Sequence, residues 1–374
     1  MMNHAGKQRI EYIDIIRGLS IVWVVMIHTL YTDNTEANGT QIMQWLFVPY
    51  RMPLFFFLSG IFFRASSFQN FIKKRIKTII IPFLGFWFIG FLYSVVKYEL
   101  IANIISMEFN GNVNFAEYAT ALKGLFHLHP KVAPCIVNEP LWFLIVLFFA
   151  QFSHFLFCTI VKKKSIIIFI GIALFIAGTF FRQHGIVTGL FYLTRIWRLY
   201  IYYAIGNFWG KDLMNMFQQN RHLKKMLIPC LSVLIFMPLI QEKYYLITEI
   251  LILVRSLCFF PVIFFVCKSI SHLKFTNPLK YCGIHSLEIL VTHSIIASLI
   301  FSSTKVILND VSFTGDISCV FFYLVFPLTM ALEYFLVIKF CNKYLFFLLG
   351  KFTQQHVSTE IIKPNPMNMP PSGF

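Results

Sequence analysis

Arg17 and His28 stand eleven positions apart inside the apolar run IIRGLSIVWVVMIHTL. On a helix that spacing falls within about 20° of three full turns, so the two side chains share one face, about 16 Å apart along the axis. A guanidinium stays charged when buried and fits phosphate or carboxylate. An imidazole, with an unperturbed pKa of about 6.5, accepts a proton near neutrality. The pair therefore has the form of a grip for a long anion and a base at its far tip. A second apolar run, VPYRMPLFFFLSGIFF, carries Arg51. Hydrocarbon disfavours such groups by several kcal/mol each, so chemistry is the leading reason for their presence.

Arg195, Arg198 and Arg255 also fall inside apolar runs, and every intramembrane cation is an arginine. The intramembrane acids are fewer: Asp14, Glu249, Glu288 and Glu333. Pairing each acid with an arginine still leaves a cation for an anionic ligand. Arg195 and Arg198, three apart on one helix face, have the spacing of a phosphate clamp. The competing reading is structural. A buried arginine pairs with a buried acid or caps a helix, Asp14 with Arg17 forms an interfacial anchor pair, and His28 is hydrogen-bonded within a bundle. His285 and His293 in GIHSLEILVTHSI fit structure better than catalysis. In EPLWFL, Glu139 and Trp142 suit a sugar-binding ledge and equally the aromatic belt of a membrane protein.

These residues need elements to hold them, and the composition dictates which. The chain has 374 residues, 57% hydrophobic and 13% charged, with mean hydropathy +0.70, which is too apolar for a soluble domain and marks an integral membrane protein. The net charge of +16 is spread over short loops rather than interleaved with aromatics, which excludes nucleic acid as partner. The eight cysteines stand singly, with no C-x-x-C pair and no zinc spacing, so neither a metal site nor a disulfide framework is expected. The first apolar run is long and contains Arg17, as a retained span rather than a cleaved signal does.

Scanning for spans of about 17 to 25 residues predicts an all-α polytopic bundle of about ten, at 13–31, 43–63, 79–97, 141–161, 165–181, 189–209, 226–240, 246–267, 286–301 and 317–340. With the N-terminus in the cytoplasm, 21 Lys and Arg residues fall on inside segments and 6 outside, so both termini are expected to be cytoplasmic. The membrane domain covers 1–353, with a long extracytoplasmic loop at 98–140 that is either a cap or a plain surface loop. The Pro- and Asn-rich tail 354–374 is expected to be disordered. No internal repeat is visible, which weighs against a transporter.

Taken in order, RIEYIDIIRGLSIVWVVMIH, RMPLFFFLSG, FIKKRIKTIIIP, EPLWFL and SLEILVTH resemble the acyltransferase-3 family of membrane O-acyltransferases over residues 9–340. Arg17 and His28 match the family's paired Arg and His of the first span. Arg51, Pro53, Phe55, Phe56, Ser59 and Gly60 match its second-span element, and Arg75 fits its basic pattern before the third, where Thr78 stands at a position often occupied by a second arginine.

The resemblance implies acetyl-CoA or another acyl-CoA as cytoplasmic donor. The acceptor it implies is a hydroxyl on a carbohydrate or other cell-surface precursor such as a lipid-linked glycan; the loop charge pattern is that of a bacterial inner membrane protein. Arg17, Arg75, Arg195 and Arg198 would then hold donor phosphate, and Glu139 and Trp142 the acceptor. His28 would take the hydroxyl proton or accept the acyl group itself, and Arg51 would face the oxyanion. Succinyl transfer, a glycan or organic-anion transporter, and a scaffold subunit of an export complex remain alternatives.

Overall fold

Inside hydrocarbon a backbone has no water to bond, so an apolar run must close its own hydrogen bonds as a helix. The computed structural model describes residues 9–30, 38–97, 138–185, 192–219, 223–236, 244–307 and 315–352, and these form helices and turns with no strand among them. The helices are α1 (Glu11–Leu30), α2 (Asn38–Ile61), α3 (Phe68–Arg75), α4 (Ile81–Val95), α5 (Trp142–Ile160), α6 (Lys164–Gln183), α7 (Leu193–Gln219) and α8 (Leu223–Phe236). They continue with α9 (Tyr245–Ile270), α10 (Asn277–Ile284), α11 (Ser286–Ile307), α12 (Gly315–Leu332) and α13 (Ile338–Tyr344). Of the predicted loop 98–140 only 138–140 is described, and the tail 354–374 lies outside the described residues.

A helix stands at each of the ten predicted positions. Six stretches of the described residues are long and apolar enough to cross a membrane, and a seventh is the α10–α11 pair if taken as one span bent by 82°. The other three stop short on composition or length: α2 carries Gln41, Gln44 and Arg51, α7 carries Arg195, Arg198, Lys211 and Asp212, and α8 has 14 residues. Large apolar side chains face outward, with Ile160 74% and Phe169 71% exposed. An outer surface of that kind is solvated by acyl chains, and the protein is a multi-pass membrane protein.

Apolar surface gains little by leaving lipid for another helix, so packing here rests on close approach of backbones. A Cβ on Gly18 would stand 2.0 Å from the Leu279 carbonyl oxygen, and one on Gly283 1.8 Å from that of Asp14. Thus α1 and α10 touch main chain to main chain. Gly60 and Gly206 do the same for α2 and α7, each with 2.1 Å to a carbonyl oxygen of the other helix. His154 ties α5 to α7 through Tyr200 at 3.1 Å and Asn207 at 3.2 Å.

Two irregularities matter for position. Between α3 and α4 the chain makes a π-helical turn, Ile76–Ile80. Pro82 has no N–H to give the Thr78 carbonyl, which favours a wider turn directly after Arg75. The second is the break at His285 between α10 and α11. Here Glu288 accepts from His285 at 3.0 Å and from Lys351 at 2.7 Å, and Lys351 also donates to Asn342. This clamp fixes the start of α11 to the chain beyond α13.

Candidate active site

The first turn of α1 settles which acid belongs to which cation. Arg9 lies just before the helix, so its side chain folds back and its Nε donates to Asp14 at 2.7 Å. The Asp14–Arg17 pair of the competing structural reading is therefore not formed, and Asp14 pairs with Arg9 instead. Arg17 instead lies 5.1 Å from the centroid of the Phe62 ring, and among the described residues no hydrogen bond or ion pair holds it.

Arg17 lines a cavity of about 240 Å³ between α1, α2, α3, α5 and α11. Arg75 lines it too, its guanidinium 5.2 Å from the Phe71 ring, and its buried Nε has no hydrogen-bond partner among the described residues. Ser59, Thr78, Gln151 and Ser286 complete the polar lining, and among the described residues no carboxylate lines it. Two guanidinium groups without a lining anion leave a positive potential that a dianionic ligand would neutralise. The rest of the wall is apolar, including Val24, Met52, Phe55, Phe143 and Leu290.

That apolar wall leads along each helix to a second group of side chains. His28 follows Val24 by one turn of α1, His293 follows Leu290 on α11, and Arg51 precedes Met52 on α2. The rings of His28 and His293 lie 5.2 Å apart, tilted by 55°. His293 is fully buried. Its Nδ1 bonds to the Ile289 carbonyl at 2.7 Å, so that nitrogen carries the proton. Nε2 is then left as an acceptor, buried and without a hydrogen-bond partner among the described residues. Arg51 is close enough to act electrostatically on His293. The sequence reading ranked His293 as structural; the structure puts it beside the candidate base.

The remaining arginines are elsewhere. Phe71, which carries Arg75, stacks on Phe155 toward the C-terminal end of α5, whereas Arg195 lies 4.4 Å from the ring of Trp142 at its N-terminal end. Thirteen residues of helix separate those two rings on α5, about 20 Å. Arg195 therefore does not join Arg17 and Arg75. It forms a separate group with Trp142, Tyr192 and, electrostatically, Glu139. Arg198 is ion-paired with Glu249, which Arg182 also approaches at 3.8 Å. Arg255 donates to the Tyr50 hydroxyl at 2.9 Å. The clamp expected of Arg195 and Arg198 is thus divided between an aromatic stack and an ion pair.

Chemically, the arrangement offers a cavity with two guanidinium groups suited to an anion, an otherwise largely apolar lining, and, one helical turn beyond Val24 and Leu290, a pair of imidazoles, one with an unpartnered acceptor nitrogen among the described residues. Among the described residues no cluster of His, Cys, Asp and Glu has the form of a metal site. No curated protein and no solved structure matches the chain significantly. A family model described as an acyltransferase domain matches residues 10–338, and with most of its length covered the chain belongs to the acyltransferase-3 family.

Proposed function

We propose that this membrane acyltransferase moves an acetyl group from cytoplasmic acetyl-CoA to a hydroxyl of an extracytoplasmic polysaccharide or lipid-linked glycan precursor at a bacterial inner membrane. The observation that carries the proposal is a cavity lined by both Arg17 and Arg75, with the His28–His293 pair one helical turn beyond its lining residues Val24 and Leu290. With ten spans and both termini inside, the Arg17 end opens to the cytoplasm, where acyl-CoA is made, and the imidazole end lies toward the glycan. The membrane domain spans 1–353, and the polar tail 354–374 takes no part.

Arg17 and Arg75 pair with donor phosphate. The unpartnered Nε of Arg75 supports that role, since an orphaned buried donor costs about 1–3 kcal/mol until a ligand satisfies it. His28 takes the proton from the acceptor hydroxyl as that oxygen attacks the thioester carbonyl. His293, its tautomer fixed by Ile289, accepts a hydrogen bond from its neighbour or from the hydroxyl. Arg51 faces the oxyanion. The proton returns to the departing thiolate, so no net proton is consumed. Glu139 and Trp142, grouped with Arg195, form the acceptor ledge at the far end of α5.

The test is transfer of radiolabelled acetyl from acetyl-CoA to envelope glycans in membranes holding the wild type, Arg17→Ala or His28→Ala at matched expression. Label on glycan in the wild type, lost in both variants, supports the reading. Label with succinyl-CoA alone changes the donor. Absence of label with either donor, together with loss of surface glycan in a deletion strain, refutes catalysis in favour of transport.

A further inference from the structure

One side chain in the cavity is out of keeping with its helix. On the cavity-facing stripe of α5, Phe143 and Leu147 are apolar, and the next position is Gln151, which is 4% exposed. Its Oε1 is buried and has no hydrogen-bond partner among the described residues. A leucine there would continue the stripe without leaving a desolvated amide oxygen, so the glutamine weakens the empty protein. A ligand group that reaches it would remove that penalty.

Position narrows the chemistry. Gln151 precedes Phe155 by one turn, and Phe155 carries the Phe71 ring on which Arg75 lies. The carboxamide therefore lines the cavity near its cationic end, where a chain extending from an anion held by Arg17 and Arg75 toward His28 would pass. A carboxamide presents one acceptor oxygen and two donors, the complement of a secondary amide, which has one N–H and one C=O.

We propose that Gln151 reads an amide in the arm that carries the thioester: its Oε1 accepts the amide N–H, which selects a pantetheine-type donor over an acyl phosphate or an acyl lipid. This rests on the thioester-donor reading above. The same arm occurs in free coenzyme A and on an acyl carrier protein, and the shared chemistry is the amide N–H.

Binding, not turnover, tests it. Full-length protein in lipid nanodiscs is titrated by calorimetry with coenzyme A, with two analogues in which each amide N–H in turn is replaced by an ester oxygen, and with phosphopantetheinylated carrier protein. The wild type is expected to bind coenzyme A about tenfold more tightly than one of the ester analogues, as a buried neutral hydrogen bond would give. In Gln151→Met, of similar shape, that difference disappears while the melting temperature does not fall. Preference for the carrier protein over free coenzyme A, with the same loss in Gln151→Met, supports the contact and reassigns the source of the arm. Equal binding of all analogues by the wild type, or a preference that persists in Gln151→Met, overturns the assignment of Gln151 and leaves the donor reading standing. Failure of both coenzyme A and carrier protein to bind the wild type overturns both.

Discussion

Replacing Gly283 by alanine places a methyl 1.8 Å from the Asp14 carbonyl oxygen and 2.9 Å from the Gly18 amide nitrogen. Ordinary contact begins at 3.4 Å, so the shortfall is 1.6 Å, and it falls on backbone of α1 and α10, which cannot rotate aside. The two helices must separate by about that distance or shear. Overpacking of this kind costs about 1–3 kcal/mol. Its larger effect is on geometry, because Asp14 lies one turn from Arg17 and the cavity is built on that turn. A misplacement of about 1 Å at a positioning group can lower a rate about 100-fold. Gly283→Ala is therefore expected to lose about two orders of magnitude in acyl transfer, measured with labelled donor on purified protein, with a lower melting temperature in detergent. Gly171→Ala is the control: its nearest neighbour at 2.9 Å is the Ile201 Cδ1 tip, which can turn away, and the next atoms stand at 3.5 Å or beyond. If Gly283→Ala keeps its rate within twofold of wild type and melts at the same temperature, the claim that this contact sets Arg17 is refuted.

Other substitutions separate binding from stability. Lys351→Met leaves the Glu288 carboxylate, 3% exposed, with His285 alone. With Lys351 itself 40% exposed, the loss is about 2 kcal/mol in thermal unfolding, below that of a fully buried pair, and Glu288→Met added to it restores most of the stability. Arg198→Met strands Glu249 with the more distant Arg182, lowering stability by about 3 kcal/mol while KM for the donor in the surviving folded protein is unchanged. Arg75→Met has the opposite signature, with KM for the donor raised at least about tenfold, as expected of a charge-assisted contact, and little change in melting temperature.

The helical fold was legible because apolar runs of membrane length admit few alternatives, and a helix lies at all ten predicted positions. Arg17 stood out as a cation inside an apolar run, whereas Arg75, which shares its cavity, came only from the family resemblance. Failures came where a side chain's partner lies in another span. The i, i+3 spacing of Arg195 and Arg198 puts them on one face, but Trp142 and Glu249 are what those side chains meet. Within a single segment, Asp14 meets Arg9, which lies outside the helix and bends back, and not Arg17 as the competing structural reading had it. The proximity of His293 to His28 was not legible, because the two are 265 residues apart in the chain. Gln151 carried no signal, since a neutral amide in an apolar run has no charge to mark it and its importance arises only from an unsatisfied oxygen.

The contact of Gly18 with α10 also has a meaning in time. Gly283 follows Gly18 by 265 residues, and at synthesis rates of about 5–20 residues per second α1 waits roughly 13–53 s for its partner. During that interval the ion pair within its own reach, Arg9 with Asp14, is available as soon as both residues have emerged, whereas the backbone seat for Gly18 does not yet exist. Thus α1 enters the membrane long before the helix that encloses it, and the arrival of α10 is registered at Gly18.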